Sequence, residues 1–216
     1  MIFRDRFEAG EHLAEALKFL QNDPDTVVVA LPRGGVPIAY VIAKRLGVPM
    51  DIFFVKKIPS PYNPEAAIGA VSENDKEYLN ERALMMLNVS RPYVEEQKRK
   101  ILENIAKKRA LYNKPRLSLK DKRVVLVDDG VATGASIYLA AKALKDEGAK
   151  EVIIAVPVAP PDSLALLKEA ADRVIVLDVP VDFMAVGQFY RDFHQLSDEE
   201  VMKLLHDAAD IEAKEP

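Results

Sequence analysis

Asp128 and Asp129 stand side by side after the aliphatic run Val124-Val125-Leu126-Val127 and directly before Gly130-Val131-Ala132-Thr133-Gly134-Ala135-Ser136. Paired carboxylates accept hydrogen bonds from neighbouring hydroxyls. A turn of small residues opening a helix presents unpartnered N–H groups at the positive end of the helix dipole, where an anion can approach closely. Thr133 and Ser136 add hydroxyl donors. Acid and anion-binding donors side by side suit a ligand with both a diol and a phosphate, which is a sugar phosphate. The plainer alternative is an ordinary strand-to-helix turn. A second turn repeats the layout: Val27-Val28-Val29-Ala30-Leu31 runs into Pro32-Arg33-Gly34-Gly35 and then a helix over Ile38 to Leu46, closed by Gly47. Two glycines allow backbone shapes closed to other residues, and Arg33 offers a fixed charge for phosphate oxygens.

These turns need strands to carry them. Residues 124–127 and 27–31 are aliphatic without alternation, the pattern of strands buried on both faces, and such strands require helices on both sides. Ligands in open α/β sheets bind at the carboxyl ends of the strands, where both turns fall. Further strands are expected at Asp51-Ile52-Phe53-Phe54-Val55, at 151–159 and at 173–177, giving an α/β fold with about five mainly parallel strands in a twisted sheet. The strand at 51–55 should deliver Lys56 and Lys57 to the same edge of that sheet, with at most one of them facing a ligand, because successive side chains point to opposite faces. Leu13, Leu17 and Leu20 mark an amphipathic helix from Phe7, and its His12 reads as surface. The breaker-rich Pro59-Ser60-Pro61-Tyr62-Asn63-Pro64 precedes a small antiparallel hairpin, 67–71 against 77–79, outside the main sheet. A long polar helix from Pro92 to Tyr112 carries Val94, Ile101, Leu102, Ile105 and Leu111 as a narrow apolar stripe; its Lys and Arg residues read as a solvated face or a dimer contact. Ser197-Asp198-Glu199-Glu200 is a capping box opening the last helix.

The chain has 216 residues, 49% of them hydrophobic, enough for one domain with a full core. Lys and Arg number 30 against 34 Asp and Glu, a net charge of −4, so nucleic-acid binding is not expected and any anion site must be local. The absence of Cys excludes disulfides and thiolate catalysis and suits a cytoplasmic protein. No apolar run approaches the roughly 20 residues of a membrane span. No Gly-x-Gly-x-x-Gly follows the first strand, which argues against a dinucleotide-binding oxidoreductase.

The segment 123–136, with its hydrophobic run, paired acids and Thr-Gly-x-Ser turn in order, resembles the phosphoribosyl pyrophosphate (PRPP) signature of the type I phosphoribosyltransferases. The resemblance implies that family's fold, with a lid hairpin and a small C-terminal lip or hood, on a single domain spanning 1–216. Within it, 59–91 would be a flexible lid, 92–114 a helical insertion and 178–193 the base-side hood. It further implies Mg²⁺-assisted transfer of the phosphoribosyl group from PRPP to a nucleobase, purine-like in kind, with release of pyrophosphate and with residues in defined roles. Gly130, Val131, Ala132, Thr133, Gly134, Ala135 and Ser136 would hold the 5′-phosphate, with Asp128 and Asp129 on the ribose. Pro32, Arg33, Gly34, Gly35, Lys56 and Lys57 would bind pyrophosphate, in a loop where family members often hold a non-proline cis peptide. Asp128, Asp129, Arg33 and Lys57 would be the catalytic set. Mg²⁺ would be held mainly by PRPP near Asp128 and Asp129, without a dedicated protein cage. Phe183, Phe189 and Tyr190 are candidates to stack a base, packing beneath the last helix being the alternative. A homodimer is expected. Oxopurine-specific members carry Asp immediately before Thr-Gly, whereas Ala132 stands here, while Arg33-Gly34-Gly35 and the lip are closer to oxopurine members; the base is left unassigned. The alternative to an enzyme is a PRPP-binding regulator with little or no turnover.

Overall fold

The computed structural model describes residues 1–214; residues 215 and 216, at the end of the expected domain, lie outside the described residues. Helix α1 (Arg6–Ala16) leads into β1 (Thr26–Ala30), α2 (Gly35–Leu46) and β2 (Met50–Ile52). A second sheet follows, β3 (Val55–Pro59), β4 (Ala67–Ser72) and β5 (Glu77–Leu79), and then α3 (Glu81–Met86) and α4 (Arg91–Tyr112). The chain returns through β6 (Arg123–Val127), α5 (Ala135–Asp146), β7 (Glu151–Val158), α6 (Pro161–Ala170) and β8 (Arg173–Asp178), and α7 (Asp198–Lys214) comes last.

The main sheet has the order β2-β1-β6-β7-β8 and every pairing in it is parallel. Its strands are buried on both sides. Val28, Ala30, Val125, Val127, Ile153 and Ala155 face a core shared with α1, α2 and α7. Val27, Val29, Val124, Leu126, Val152 and Ile154 face the core under α5 and α6. The unalternated aliphatic runs thus do what such runs do when helices cover both faces. Because β1 and β6 are neighbours, the two candidate turns that follow them emerge side by side.

The expected strand over 51–55 is corrected. It ends at Ile52, whose carbonyl accepts a hydrogen bond from Arg109 Nη2 (2.7 Å); Phe53 N–H makes a last bond to β1, at the Ala30 carbonyl (2.9 Å), and from Phe54 the backbone turns to Glu73: Phe54 N–H donates to Glu73 Oε1 (3.1 Å) and Glu73 N–H to the Phe54 carbonyl (2.9 Å). Lys56 and Lys57 therefore lie on β3, paired antiparallel to β4, and the expected two-stranded hairpin is a three-stranded sheet. Its small core of Ile58, Ile68, Val71 and Val94 is covered by α4 and by α3, a helix that no sequence pattern above announces. The basic residues of α4 are not all a solvated face. Arg109 pairs with buried Glu73 (2.7 Å), and Lys98, buried, pairs with Glu77 (3.0 Å) and Asp75 (3.2 Å). Leu111, expected in the apolar stripe, is exposed. The capping box forms as expected: Glu200 N–H donates to Ser197 Oγ and Ser197 N–H to Glu200 Oε1, both at 3.1 Å.

Candidate functional site

The turn after β6 is pinned from three sides. Leu31 N–H donates to the Val127 carbonyl (3.1 Å), Val131 N–H to the Val158 carbonyl (2.9 Å), and Ser163 Oγ to the Ala132 carbonyl (2.6 Å). Gly134 takes φ +89°, a left-handed shape that suits glycine, and as the N-cap of α5 it brings no side-chain hydrogen bond. The Ala135 N–H makes a long bond to Thr133 Oγ1 (3.5 Å), and the next first-turn N–H groups of α5, at Ser136 and Ile137, have no capping side chain, as anion binding requires. One cavity of about 250 Å³ is lined by Lys57, Asp128, Gly130, Val131, Ala132, Thr133, Gly134 and Ser136, with Ile137 and Val186 completing the wall. Asp129 and Ala135 do not line it.

Asp129 is turned to another partner. Its Oδ2 accepts from Arg6 Nε at 3.1 Å, with both side chains largely buried. Arg6 Nη1 donates to the His194 carbonyl (2.9 Å), and the Phe193 ring lies 4.2 Å from the guanidinium. Tyr190 Oη donates to the Asp129 carbonyl at 2.6 Å. What brings α1 here is the pairing of the N-terminal segment with the lip: Phe3 N–H donates to the Phe189 carbonyl and Arg191 N–H to the Phe3 carbonyl, both at 2.8 Å. Arg6 belongs to none of the motifs read from the sequence.

The two carboxyls are electrostatically distinct. Burial first, then the negative charge of Asp129, pushes Asp128 well above the usual carboxylate range, although the Asp129 N–H on its Oδ1 (2.8 Å) pulls the other way. Burial also raises Asp129, and Arg6 opposes it by charge and hydrogen bond. Asp129 is thus matched by a protein cation, while Asp128 is the acid that faces the cavity and, among the described residues, forms no ion pair of its own.

The loop after β1 packs directly against the acid pair. Its Pro32–Arg33 peptide is cis. A Cβ on Gly34 would land on the Asp129 carboxylate, and one on Gly35 would lie 2.9 Å from the Val127 carbonyl oxygen. Gly34→Ala is expected to displace either the loop or Asp129, costing about 1–3 kcal/mol and, if PRPP is the ligand as the resemblance implies, weakening its binding by about tenfold or more. Thermal denaturation and a PRPP titration check it; unchanged affinity would mean that the loop–acid contact is irrelevant to the ligand. Arg33 itself reaches toward Asp198 at the start of α7 (3.8 Å), which also accepts from Lys108 Nζ (2.6 Å) and Tyr112 Oη (2.8 Å). Lys57 and Lys56 diverge: Lys57 enters the acid-lined cavity, whereas Lys56 lines a separate groove against α4.

At the lip, Phe189 and Tyr190 are buried. Tyr190 stacks on Phe193 (centroids 5.1 Å apart), packs against Phe3 (5.5 Å) and spends its hydroxyl on Asp129. Phe183 stacks on Phe189 (5.5 Å, 25° between planes) and is partly exposed. The lip residue that reaches the cavity wall is aliphatic, Val186. Among the described residues no group of three or more His, Cys, Asp or Glu side chains is placed to hold a metal ion, and no helix is long and apolar enough to cross a membrane.

Known proteins share this arrangement of elements. The phosphoribosyl transferase domain model matches residues 4–194. A Mycobacterium tuberculosis protein carrying a provisional phosphoribosyl transferase name, present in two strains, is 38% identical over 206 residues, 94% of this chain and 46% of its own length. The chain therefore spans about half the length of the curated relatives it matches. The crystal structure of TT1426 from Thermus thermophilus superposes with a TM-score of 0.80 at 42% identity, covering 96% of this chain and 99% of that one.

Proposed function

Since the chain belongs to the phosphoribosyl transferase domain family, we propose that it transfers the 5-phosphoribosyl group of PRPP to a nucleobase and releases pyrophosphate. The observation that carries this reading is the single cavity shared by Asp128, Lys57 and the turn Gly130–Ser136, with the Arg33-Gly34-Gly35 loop packed on the acid pair behind it. The turn N–H groups, with Thr133 and Ser136, anchor the 5′-phosphate. Asp128 accepts from the ribose hydroxyls. Asp129, held by Arg6 and lying against Gly34, braces the turn and the loop beneath the sugar, and Lys57 with the N–H groups of the loop stabilises the departing pyrophosphate. Closure of residues 59–91 over this cavity would exclude water from the reactive sugar.

The donor set fits Mg²⁺ brought in with PRPP, because Mg²⁺ keeps several waters and needs only one or two carboxylates, and Asp128 is the residue free to supply one. When bound it would add charge neutralisation at the diol and pyrophosphate oxygens. On the acceptor side, we place the base against the exposed face of Phe183, with Phe189 supporting that ring and Tyr190 holding the lip onto Asp129. Ala132 offers no proton relay, so base identity has to come from the lip. We carry the remaining expectations, one domain, a homodimer and a cytoplasmic location, as part of this proposal.

The test is pyrophosphate release from PRPP and Mg²⁺ across a panel of purine and pyrimidine bases. Turnover with at least one base is expected. Tight PRPP binding with no release on any base would replace the enzyme by a PRPP-responsive regulator, and no PRPP binding would remove both readings.

A further inference from the structure

Lys56, which does not line the acid-lined cavity, borders a groove of about 430 Å³ between the Phe54–Lys56 stretch and α4 that shares no lining residue with that cavity. Its floor is apolar, made by the edges of Phe54 and Ile105, both nearly buried, with Leu111, 48% exposed, at the rim; the Phe54 ring also stacks with Tyr112 (centroids 6.1 Å apart) and meets the Arg109 guanidinium (5.6 Å). Asn104, Lys107, Lys108 and Leu111 stand at helical spacings of three and four on one face of α4, so they open into it together. This accounts for Leu111, an exposed leucine on an otherwise charged stretch. Positive charge is in excess here: among the described residues Lys56 and Lys107 form no ion pair, and Lys108 shares Asp198 with Arg33. The crowding is felt by Lys56, whose ammonium is driven below its ordinary pKa by desolvation and by Arg33 and Lys108, against the pull of Asp198.

A bare phosphate would use the lysines and waste the floor; a hydrophobic ligand would use the floor and leave the ammonium groups unmatched. The size falls within the range of about 300–1,000 Å³ usual for small-molecule sites, and an apolar lining with a few placed polar groups is their usual chemistry. Asn104 contributes one amide that both donates and accepts, the pattern that reads the edge of a heterocyclic base.

We propose that this groove is a second ligand site, separate from the acid-lined cavity, that binds a nucleotide: its base lies against Leu111 and Asn104, above the edges of Phe54 and Ile105, and its phosphates meet Lys56, Lys107 and Lys108. The site does not depend on phosphoribosyl transfer, and a chain without turnover would still show it.

The test is calorimetric titration of the full chain with ADP, with tripolyphosphate and adenosine titrated separately. ADP is expected to bind saturably and more tightly than either control. Lys107→Glu combined with Leu111→Asp should weaken ADP by about tenfold or more, and Thr133→Asp, which blocks the phosphate turn, should leave it unchanged. Both groove positions are exposed, and Asn104→Ala gives a milder second variant, with ADP affinity expected to fall. The proposal is overturned by no saturable ADP binding, by loss of binding in Thr133→Asp with none in the groove variants, or by tripolyphosphate binding as tightly as ADP, which would leave only an anion patch. If a concentration-dependent dimer, lost in the groove variants, excludes ADP, the groove is an interface between two copies and the nucleotide site is likewise overturned.

Discussion

Arg6→Met is expected to destabilise the unliganded protein by about 3–5 kcal/mol near neutral pH, because removing one partner of a buried ion pair leaves the other charge uncompensated. Asp129 sits beside a second, more deeply buried acid, so without Arg6 the burial that already raises its pKa is opposed only by the lesser hydrogen bonds from Asp128 and the Asp129 backbone. The sign of the pH dependence follows. A carboxyl whose folded pKa is raised adds stability at low pH and loses that contribution as pH rises through its folded value. Arg6→Met raises Asp129 further, so the gap between wild type and variant should widen from pH 5 to pH 8. Thermal denaturation across that window measures it. Arg6 also donates to the His194 carbonyl and stacks on Phe193, contacts with no such pH dependence. A gap that stays constant with pH would therefore assign Arg6 to packing rather than charge. The double variant Arg6→Met with Asp129→Asn should recover much of the loss, and a positive coupling in that cycle isolates the pair. PRPP affinity should fall as well, since the displaced Asp129 carboxyl lies against Gly34.

Which of these features the sequence discloses depends on how far apart the partners lie. The buried strands, both turns and the capping box rest on neighbours within a few residues, and periodicity reads them. Arg6 meets its partner across 123 positions, joined through the pairing of Phe3 with the lip, and nothing local announces that contact. One signal is available: Arg6 opens α1, where the helix dipole disfavours a cation, so an arginine there asks for another use. The break after Ile52 is hidden for a related reason. Asp51-Ile52-Phe53-Phe54-Val55 has the composition of one strand, and only Arg109 and Glu73, brought from α4 and the end of β4, divide it. Lys56 and Lys57 diverge as expected, since the period of two holds in either sheet, but the sheet that carries them is set by those remote contacts. At the lip, three aromatics within eight residues read alike in sequence, whereas tertiary packing buries Phe189 and Tyr190 and leaves Phe183 partly open.

Asp128→Asn separates the needs of the fold from those of the ligand. The variant keeps an oxygen to accept the Asp129 N–H and loses the charge that burial and Asp129 oppose. In the unliganded wild type, Asp128 favours folding only while protonated; as pH rises through its raised folded value, that contribution disappears. Wild type and variant should therefore have similar stability at acid pH and separate above it, with Asp128→Asn the more stable at pH 8. A gain of about 1 kcal/mol would raise Tm by about 2–4 °C in a chain of this size. With PRPP and Mg²⁺ present the order should reverse, because ligand at about 100 times its dissociation constant stabilises the wild type by about 2.7 kcal/mol, whereas the variant has lost a charged acceptor for the ribose and is expected to bind about 100-fold more weakly, the equivalent of about 2.7 kcal/mol. Thermal shift from pH 5 to pH 8, with and without the ligands, reads both halves. A variant less stable than wild type at pH 8 without ligand would show that the charge serves the fold. The reversal, if found, means that Asp128 is retained at a cost to the empty protein because its charge is matched only when the sugar phosphate and its cation arrive.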